Sequence, residues 1–511
     1  MRRCGCLLAL VCTAIAMPAQ ARPEVTALQL PKTMRLTGFL DVDVDGVHGR
    51  DLVLACFDET TKRRELRTHL RSARTPVFAG EPSATPYALE RDVIAFTFAD
   101  VDARAGRELV LFTAERAVAV LPAAEGAPKY EPLFTHRLLW AAPDPTRVLA
   151  LDDVVHDVDG DGRDDFLLPE VDGARLVLQR LADGKTGFAA TLSWQLPAWR
   201  SPLTAGTAGG PARVGGGEMS LRLGLLDDGY EEEQRPLVDL RARAPRFLLL
   251  DLGGDGVRDG LAVRNDSIWC WAIGAGAAIA AAPASIALPL PEDRLTLFDP
   301  AFDVQLADVN GDRRADLLLT TSAQRNDEVE VRIDVFFQQI GQQRPDAGPW
   351  AAKPDGRLRV QPLATTPQLV DADGDGQLDL VVNTVRTDLL RGLTGGGPTS
   401  LQVQFNVFRG GNTGFQVPAM LNQQLQLPVA TEGRGPFLRV LGGPAGTPGA
   451  LLLRNDDVMA LQPLQREGAS LRLMPQRWQV PIAKTARPRL ARGASEVLLV
   501  DEHELLHVRW Q

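Results

Sequence analysis

Cysteine is scarce: there are five in 511 residues, and Cys4, Cys6 and Cys12 all fall within the first twenty-one positions. Cys56 and Cys270 remain, too few for a disulfide scaffold or a thiolate zinc site. They lie far apart in the chain, which argues against a bridge between them. Tyrosine (Tyr87, Tyr130 and Tyr230) and the six histidines are also sparse and scattered. A sugar-cleaving site built on clustered Tyr, His or paired carboxylates therefore has little to draw on. No apolar run reaches the length of a membrane-spanning helix. Positive charge is in deficit, with Lys+Arg 55 against Asp+Glu 65 and a net charge of −10. That balance excludes a nucleic-acid binder, which needs clustered cations for phosphates. No glycine loop followed by Lys and Ser/Thr is present to cradle a nucleotide phosphate.

The N-terminus reads as an export signal. Met1-Arg2-Arg3 is basic, Leu7 to Met17 is apolar, and Pro18-Ala19-Gln20-Ala21 ends in an Ala-x-Ala pattern. Residues 1–21 are expected to be a secretory signal peptide cleaved after Ala21. A lipoprotein would need a small residue before Cys12, where Leu10 and Val11 stand. Cleavage removes Arg2 and Arg3 and no acid, leaving a net charge of about −12. The expected location is periplasmic, cell-surface or secreted, and the excess of Arg over Lys suits a GC-rich bacterium.

Glycine (47) and proline (36) are plentiful, as in a turn-rich β protein. One acidic pattern recurs throughout residues 22–511. Full copies run Asp157-Val-Asp159-Gly-Asp161-Gly to Asp165, Asp308-Val-Asn310-Gly-Asp312 to Asp316, and Asp371-Ala-Asp373-Gly-Asp375-Gly to Asp379. A fourth contains Asp251, Asp255 and Asp259. The first, Asp41-Val-Asp43-Val-Asp45-Gly46, reaches Asp51 with two extra residues. A weaker copy holds Asp100, Asp102 and Glu108, with Arg104 in place of an acid. Eroded copies near 440 and 491 keep the apolar runs and lose the acids. Eight copies thus start near 41, 100, 157, 251, 308, 371, 440 and 491. A period of this size means propeller blades or a solenoid.

Within each copy, short apolar runs flank the acids and a second strand pair follows (Ala174 to Leu178, Val329 to Val335). Runs so short, bounded by Asp and Gly, are strands. Four strands per copy make one propeller blade. Val25 to Leu30 is a spare strand ahead of the first acids, and the last copy supplies three. The expected fold is therefore all-β: a β-propeller of eight blades of four antiparallel strands, closed by the N-terminal strand, with seven blades as the alternative. The wide gap between the third and fourth copies marks an insertion at about 197–245, glycine-rich and then acidic (Asp227, Asp228, Glu231 to Glu233). A solvated flap is the expected reading, a partner-binding arm the other.

The acids imply a metal. Asp or Asn at positions 1, 3, 5 and 9 converge where Gly at 4 and 6 lets the chain coil. Carboxylates packed so closely repel, by about 4 kcal/mol per pair at ~4 Å and an effective dielectric near 20. A hard dication with oxygen ligands relieves this, and calcium suits such flexible sites better than magnesium. Position 12 is Leu168, Leu319 or Val382 where an EF-hand needs Glu. The expectation is three to five calcium ions, held by Asp157, Asp159, Asp161 and Asp165; Asp308, Asn310, Asp312 and Asp316; Asp371, Asp373, Asp375 and Asp379; Asp251, Asp255 and Asp259; and Asp41, Asp43, Asp45 and Asp51.

Asp-x-Asp-Gly-Asp-Gly-x-x-Asp followed by an apolar strand, repeated at this period, resembles the FG-GAP/VCBS repeat, also found in integrin α-chain propellers. The resemblance covers most of residues 36–511. It implies calcium in loops between the first two strands of each blade, and roles in ligand binding, adhesion and scaffolding at cell surfaces.

Two catalytic signals compete with that reading. His503-Glu504-Leu-Leu-His507 matches the zinc-protease pattern His-Glu-x-x-His, but the segment sits where the last blade needs a strand, and no third ligand follows. Trp269 and Trp271 are spaced to stack a sugar or, more often, to pack a blade. The function expected from sequence is a monomeric, exported binding module for an unknown protein or glycan, with structural calcium and no enzymatic activity. A propeller polysaccharide lyase or hydrolase is the alternative.

Overall fold

The chain is described from a computed structural model. It describes residues 23–510 apart from loop segments, of which the longest are 138–145, 196–203, 207–218, 225–236, 340–348, 386–399 and 429–437; shorter ones include 72–77, 79–81, 122–127, 253–257, 296–301, 362–366 and 491–495. The expected signal peptide and most of the 197–245 insertion lie outside the described residues. Within the insertion, strands Thr204–Gly206, Leu237–Ala242 and Met219–Gly224 form a small antiparallel sheet in that order.

Eight four-stranded antiparallel blades form a ring. Blade 1 is Met34–Val42, Asp51–Asp58, Arg63–His69 and Tyr87–Leu89. Blade 2 is Ala95–Ala99, Glu108–Phe112, Arg116–Leu121 and Lys129–Thr135, with Leu149–Ala150 added in parallel beside its first strand. Blade 3 is Val155–His156, Asp165–Glu170, Gly173–Ala182 and Lys185–Gln195. Blade 4 comprises Arg246–Leu250, Asp259–Arg264, Ser267–Trp271 and Ala284–Ala287. Blade 5 comprises Phe302–Ala307, Asp316–Arg325, Glu328–Phe336 and Gly356–Val360. Blade 6 is Gln368–Val370, Asp379–Val385, Ser400–Phe408 and Leu421–Pro428. In blade 7, Leu438–Leu441, Ala450–Asn455 and Val458–Glu467 are followed by two short strands, Ser470–Leu473 and Trp478–Pro481, that share the long third strand. Blade 8 holds Arg487–Leu490, Glu496–Val500 and Glu504–Trp510 and is completed by Pro23–Gln29. That last pairing runs from Pro23 opposite Trp510 to Gln29 opposite Glu504, so the two ends of the chain close the ring.

The second strand of each blade explains the unbroken apolar runs in the sequence. In Asp51–Asp58, Leu52, Leu54 and Cys56 pack against Leu498 and Leu505 of blade 8, whereas Val53 and Ala55 pack against Phe96 and Phe98 of blade 2. Alternate side chains point to opposite faces of a strand, and here a neighbouring blade covers each face. The core is therefore a set of clusters between blades. Trp271 is fully buried with Trp269 beside it, in the cluster between blades 3 and 4, which is the packing role for that pair.

First strands of successive blades lie side by side and are tied by side chains. Gln368 of blade 6 donates from Nε2 to the carbonyl of Val440 in blade 7 (2.6 Å) and accepts from the Val440 amide (3.0 Å). Thr97 of blade 2 donates to the carbonyl of Leu151, just ahead of blade 3 (2.7 Å).

Candidate metal centres in the acidic loops

Each acidic loop joins the first strand of its blade to the second, so all stand at the same end of the ring. The acid at position 9 heads the second strand and is buried: Asp51, Asp165, Asp316 and Asp379 are fully enclosed, and Asp259 nearly so. Its two oxygens do a fixed job. One accepts the amide of the residue at position 2, at 2.8–3.0 Å: Val44, Val158, Leu252, Val309 and Ala372 in turn. The other accepts an amide just beyond the third strand or, for Gln179, at a bulge within it: Arg71, Gln179, Ile273, Gln338 and Gly410, at 2.7–3.1 Å. One carboxylate thus pins three strands of a blade at one end. Glu108 makes the first of these bonds in blade 2, from Val101 at 3.1 Å.

This clamp resets the numbering of the first loop. Asp51 accepts from the residue seven before it, as in every other blade, so the loop counts from Asp43 and carries no extra residues. Asp41 belongs to the preceding strand, opposite Leu52, and pairs with Arg50 at 3.1 Å. Position 1 then behaves alike in four blades. Asp43, Asp157, Asp308 and Asp371 each accept the amide of the glycine at position 4, Gly46, Gly160, Gly311 and Gly374, at 2.7–2.8 Å.

Among the described residues, three loops bring the acids at positions 1, 3 and 9 together: Asp43, Asp45 and Asp51; Asp157, Asp159 and Asp165; Asp371, Asp373 and Asp379. Within each, one oxygen per residue lies within 4.8 Å of the others. The position 5 acids, Asp161 and Asp375, stand outside these triads and accept from Arg163 and Gln377 backbone amides, both at 3.0 Å. In blade 5, Asp308 and Asp316 hold the same places but position 3 is Asn310, whose amide donates to Asp312 at 3.1 Å. In blade 4, Asp251 and Asp259 are placed, and Asp255 lies outside the described residues.

The position 3 acid is where the loops differ. In blade 2, Arg104 binds Asp102 and stands 3.9 Å from Glu108. In blade 3, Arg180 binds Asp159. In blade 6, Arg409 binds Asp373, with Arg466 at 3.8 Å. Among the described residues, Asp45 of blade 1 carries no such partner. Burial pushes the carboxyls of Asp165 and Asp379 up to about 7 against the pull of their two amide donors, and raises Asp51 and Asp316 too. Taking a carboxylate from water disfavours its ionised form, and a positive charge beside it reverses that.

A cation fits this donor set. A carboxylate oxygen that accepts one amide keeps a second lone pair, although one Asp379 oxygen also takes the Asp373 amide at 3.3 Å, and all the donors are hard oxygens of the kind calcium takes. The left-handed turn also suits the fit in blades 3 and 6, where position 6 is Gly162 (φ 82) and Gly376 (φ 87). In blade 5 the same place is Arg313 at φ 67. A non-glycine residue there costs roughly 1–2 kcal/mol. Replacing Arg313 by Gly is expected to raise stability by about 1 kcal/mol, read as a higher urea midpoint at unchanged slope.

His503 and His507 go to separate hydrogen bonds. His503 Nδ1 meets the carbonyl of Met34 at 2.7 Å, while buried His507 meets Glu496 at 2.9 Å. Glu504 bonds Gln29 across the ring closure. Burial alone would raise Glu496, but His507 and Arg71 outweigh it and hold the carboxyl down to about 2. Burial pushes both thiols, Cys56 and Cys270, up to about 12.

No family model and no curated protein matches the chain. Among solved structures, an Agrocybe aegerita lectin, described for specific recognition of non-reducing terminal N-acetylglucosamine, is similar over 93% of this chain and 96% of its own, at 12% identity and a TM-score of 0.40. A protein from Lactobacillus plantarum is similar over 88% of this chain and 97% of its own, at 12% identity and a TM-score of 0.29. Likenesses this distant carry no function across.

Proposed function

We propose that the protein is an exported binding module, a propeller of the FG-GAP/VCBS kind, whose acidic loops hold calcium as a structural ion. Its ligand is a protein or a glycan. The observation that supports the calcium reading is the repetition of one triad, positions 1, 3 and 9, in blades 1, 3 and 6. The position 9 member of each triad is already fixed by two amides, so an ion there ties the loop to the clamp that holds the blade. Blade 1 is the most open to a cation, because among the described residues no guanidinium competes at Asp45. In blades 3 and 6 the ion would displace Arg180 and Arg409 from the position 3 acid.

Each ion held only by the folded ring adds about 2.7 kcal/mol when free calcium is 100 times its Kd. Thermal unfolding of the full chain in calcium and in excess chelator tests this. The chelated protein is expected to melt several degrees lower, with recovery on adding calcium back; identical melting curves would remove calcium from the proposal. Binding of envelope proteins and polysaccharides to the calcium-loaded chain then tests the module itself.

A further inference from the structure

We propose that Tyr87 and Tyr130 form an oxidative cross-linking site that joins the fourth strands of blades 1 and 2 through a carbon–carbon bond. The chain has three tyrosines, and these two, 43 residues apart, place their hydroxyl oxygens 2.8 Å from one another. Tyr130 is 52% exposed, so its ring is accessible to an oxidant. A hydrogen bond between two surface hydroxyls gains little over the bonds each makes with water; the Tyr87 ring packs against the cluster between blades 1 and 2, which holds it in place beside the exposed Tyr130. What the geometry supplies is proximity. Two phenols that share a hydrogen bond hold their ortho carbons near one another, as coupling of their radicals requires.

The oxidant is hydrogen peroxide acting through a haem peroxidase. Each phenol gives up one electron and one proton, and the two radicals couple at carbons ortho to the hydroxyls. The hydrogens displaced from those carbons restore the two hydroxyl groups. The protein loses two electrons and two protons in all, and these reduce one peroxide to two waters. The bond anchors Tyr87–Leu89, a strand of only three residues, to the longer Lys129–Thr135 of the next blade.

The full chain, dilute and folded, is treated with peroxidase and peroxide. The expected product is a monomer lighter by two hydrogens, with the blue fluorescence of a biphenol and a digest peptide joining Tyr87 to Tyr130. Y87F and Y130F should each cut the yield of that product by about ten-fold or more, whereas Y230F should leave it unchanged. Wild-type chain unfolded in urea before oxidation should also lose it, which tests the geometry without any variant. Closing a loop of this length should raise the Tm by about 3 °C. A folded chain that stays unmodified, couples through Tyr230, or couples only between molecules overturns the proposal.

Discussion

Replacing Asp379 by Ala is expected to lower the unfolding free energy by about 3–5 kcal/mol, whereas Asp375→Ala, four residues earlier, should stay within about 1 kcal/mol of wild type. Both remove one carboxyl group from the same loop, and what separates them is where that group sits. Asp379 is fully buried and accepts the amides of Ala372 and Gly410 at 3.0 Å each. Its loss leaves two enclosed donors without acceptors, at about 1–3 kcal/mol apiece, and opens a small void. Asp375 is exposed and holds only local turn amides. Urea unfolding in excess chelator reads this difference with any ion removed. Equal losses for the two variants in chelator would show that position 9 is not a clamp.

A chain that starts at Pro31 of the same sequence, lacking the closing strand, should lose roughly 5–10 kcal/mol. The strand Pro23–Gln29 pairs along its whole length with Glu504–Trp510, and Leu28 is 1% exposed in the cluster between blades 8 and 1. Removing it bares an unpaired edge beside an apolar face. The truncated chain should melt broadly and associate, and a synthetic peptide of residues 23–30, in excess, should restore the sharp transition by mass action. An unchanged midpoint without the strand would mean that the ring is held by the blade interfaces alone.

The ring itself was legible because its strands announce themselves twice, by an apolar run and by the Asp-Gly turn before it. Even the eroded blade 7 was readable, since Ala450 to Leu453 keeps the apolar run of a strand covered on both faces. The spare strand near Val25 pointed to the closure because three strands near the end needed a fourth. The loops were less transparent. Counting from Asp41 put two surplus residues in the first loop, because a strand-borne Asp two residues before Asp43 looks like a ligand until its partner, Arg50, is seen. The job of position 9 was hidden as well: an Asp that accepts backbone amides and an Asp that waits for an ion have the same letter. Arg180 and Arg466 arrive from strands and Arg409 from just beyond one, all well outside the loop in sequence, so spacing does not reveal them. Tyr87 and Tyr130 meet only through the angle between two blades, and no periodicity encodes that.

The acidic loops also touch one another. The amide of Arg107 in blade 2 donates to the carbonyl of Val44 in blade 1 (2.8 Å), and the amide of Gly449 in blade 7 donates to the carbonyl of Ala372 in blade 6 (3.0 Å). Both bonds run from position 8 of one loop to position 2 of the loop before. Gly374 also lies so close to Thr447 that a Cβ on it would come within 2.6 Å of that residue's carbonyl carbon. Blade 7 makes this link although its loop has no acid left. A seam sewn from main-chain atoms does not depend on which side chains the loop carries, so blade 7, which has lost its carboxylates and with them any ion, stays stitched to its neighbour.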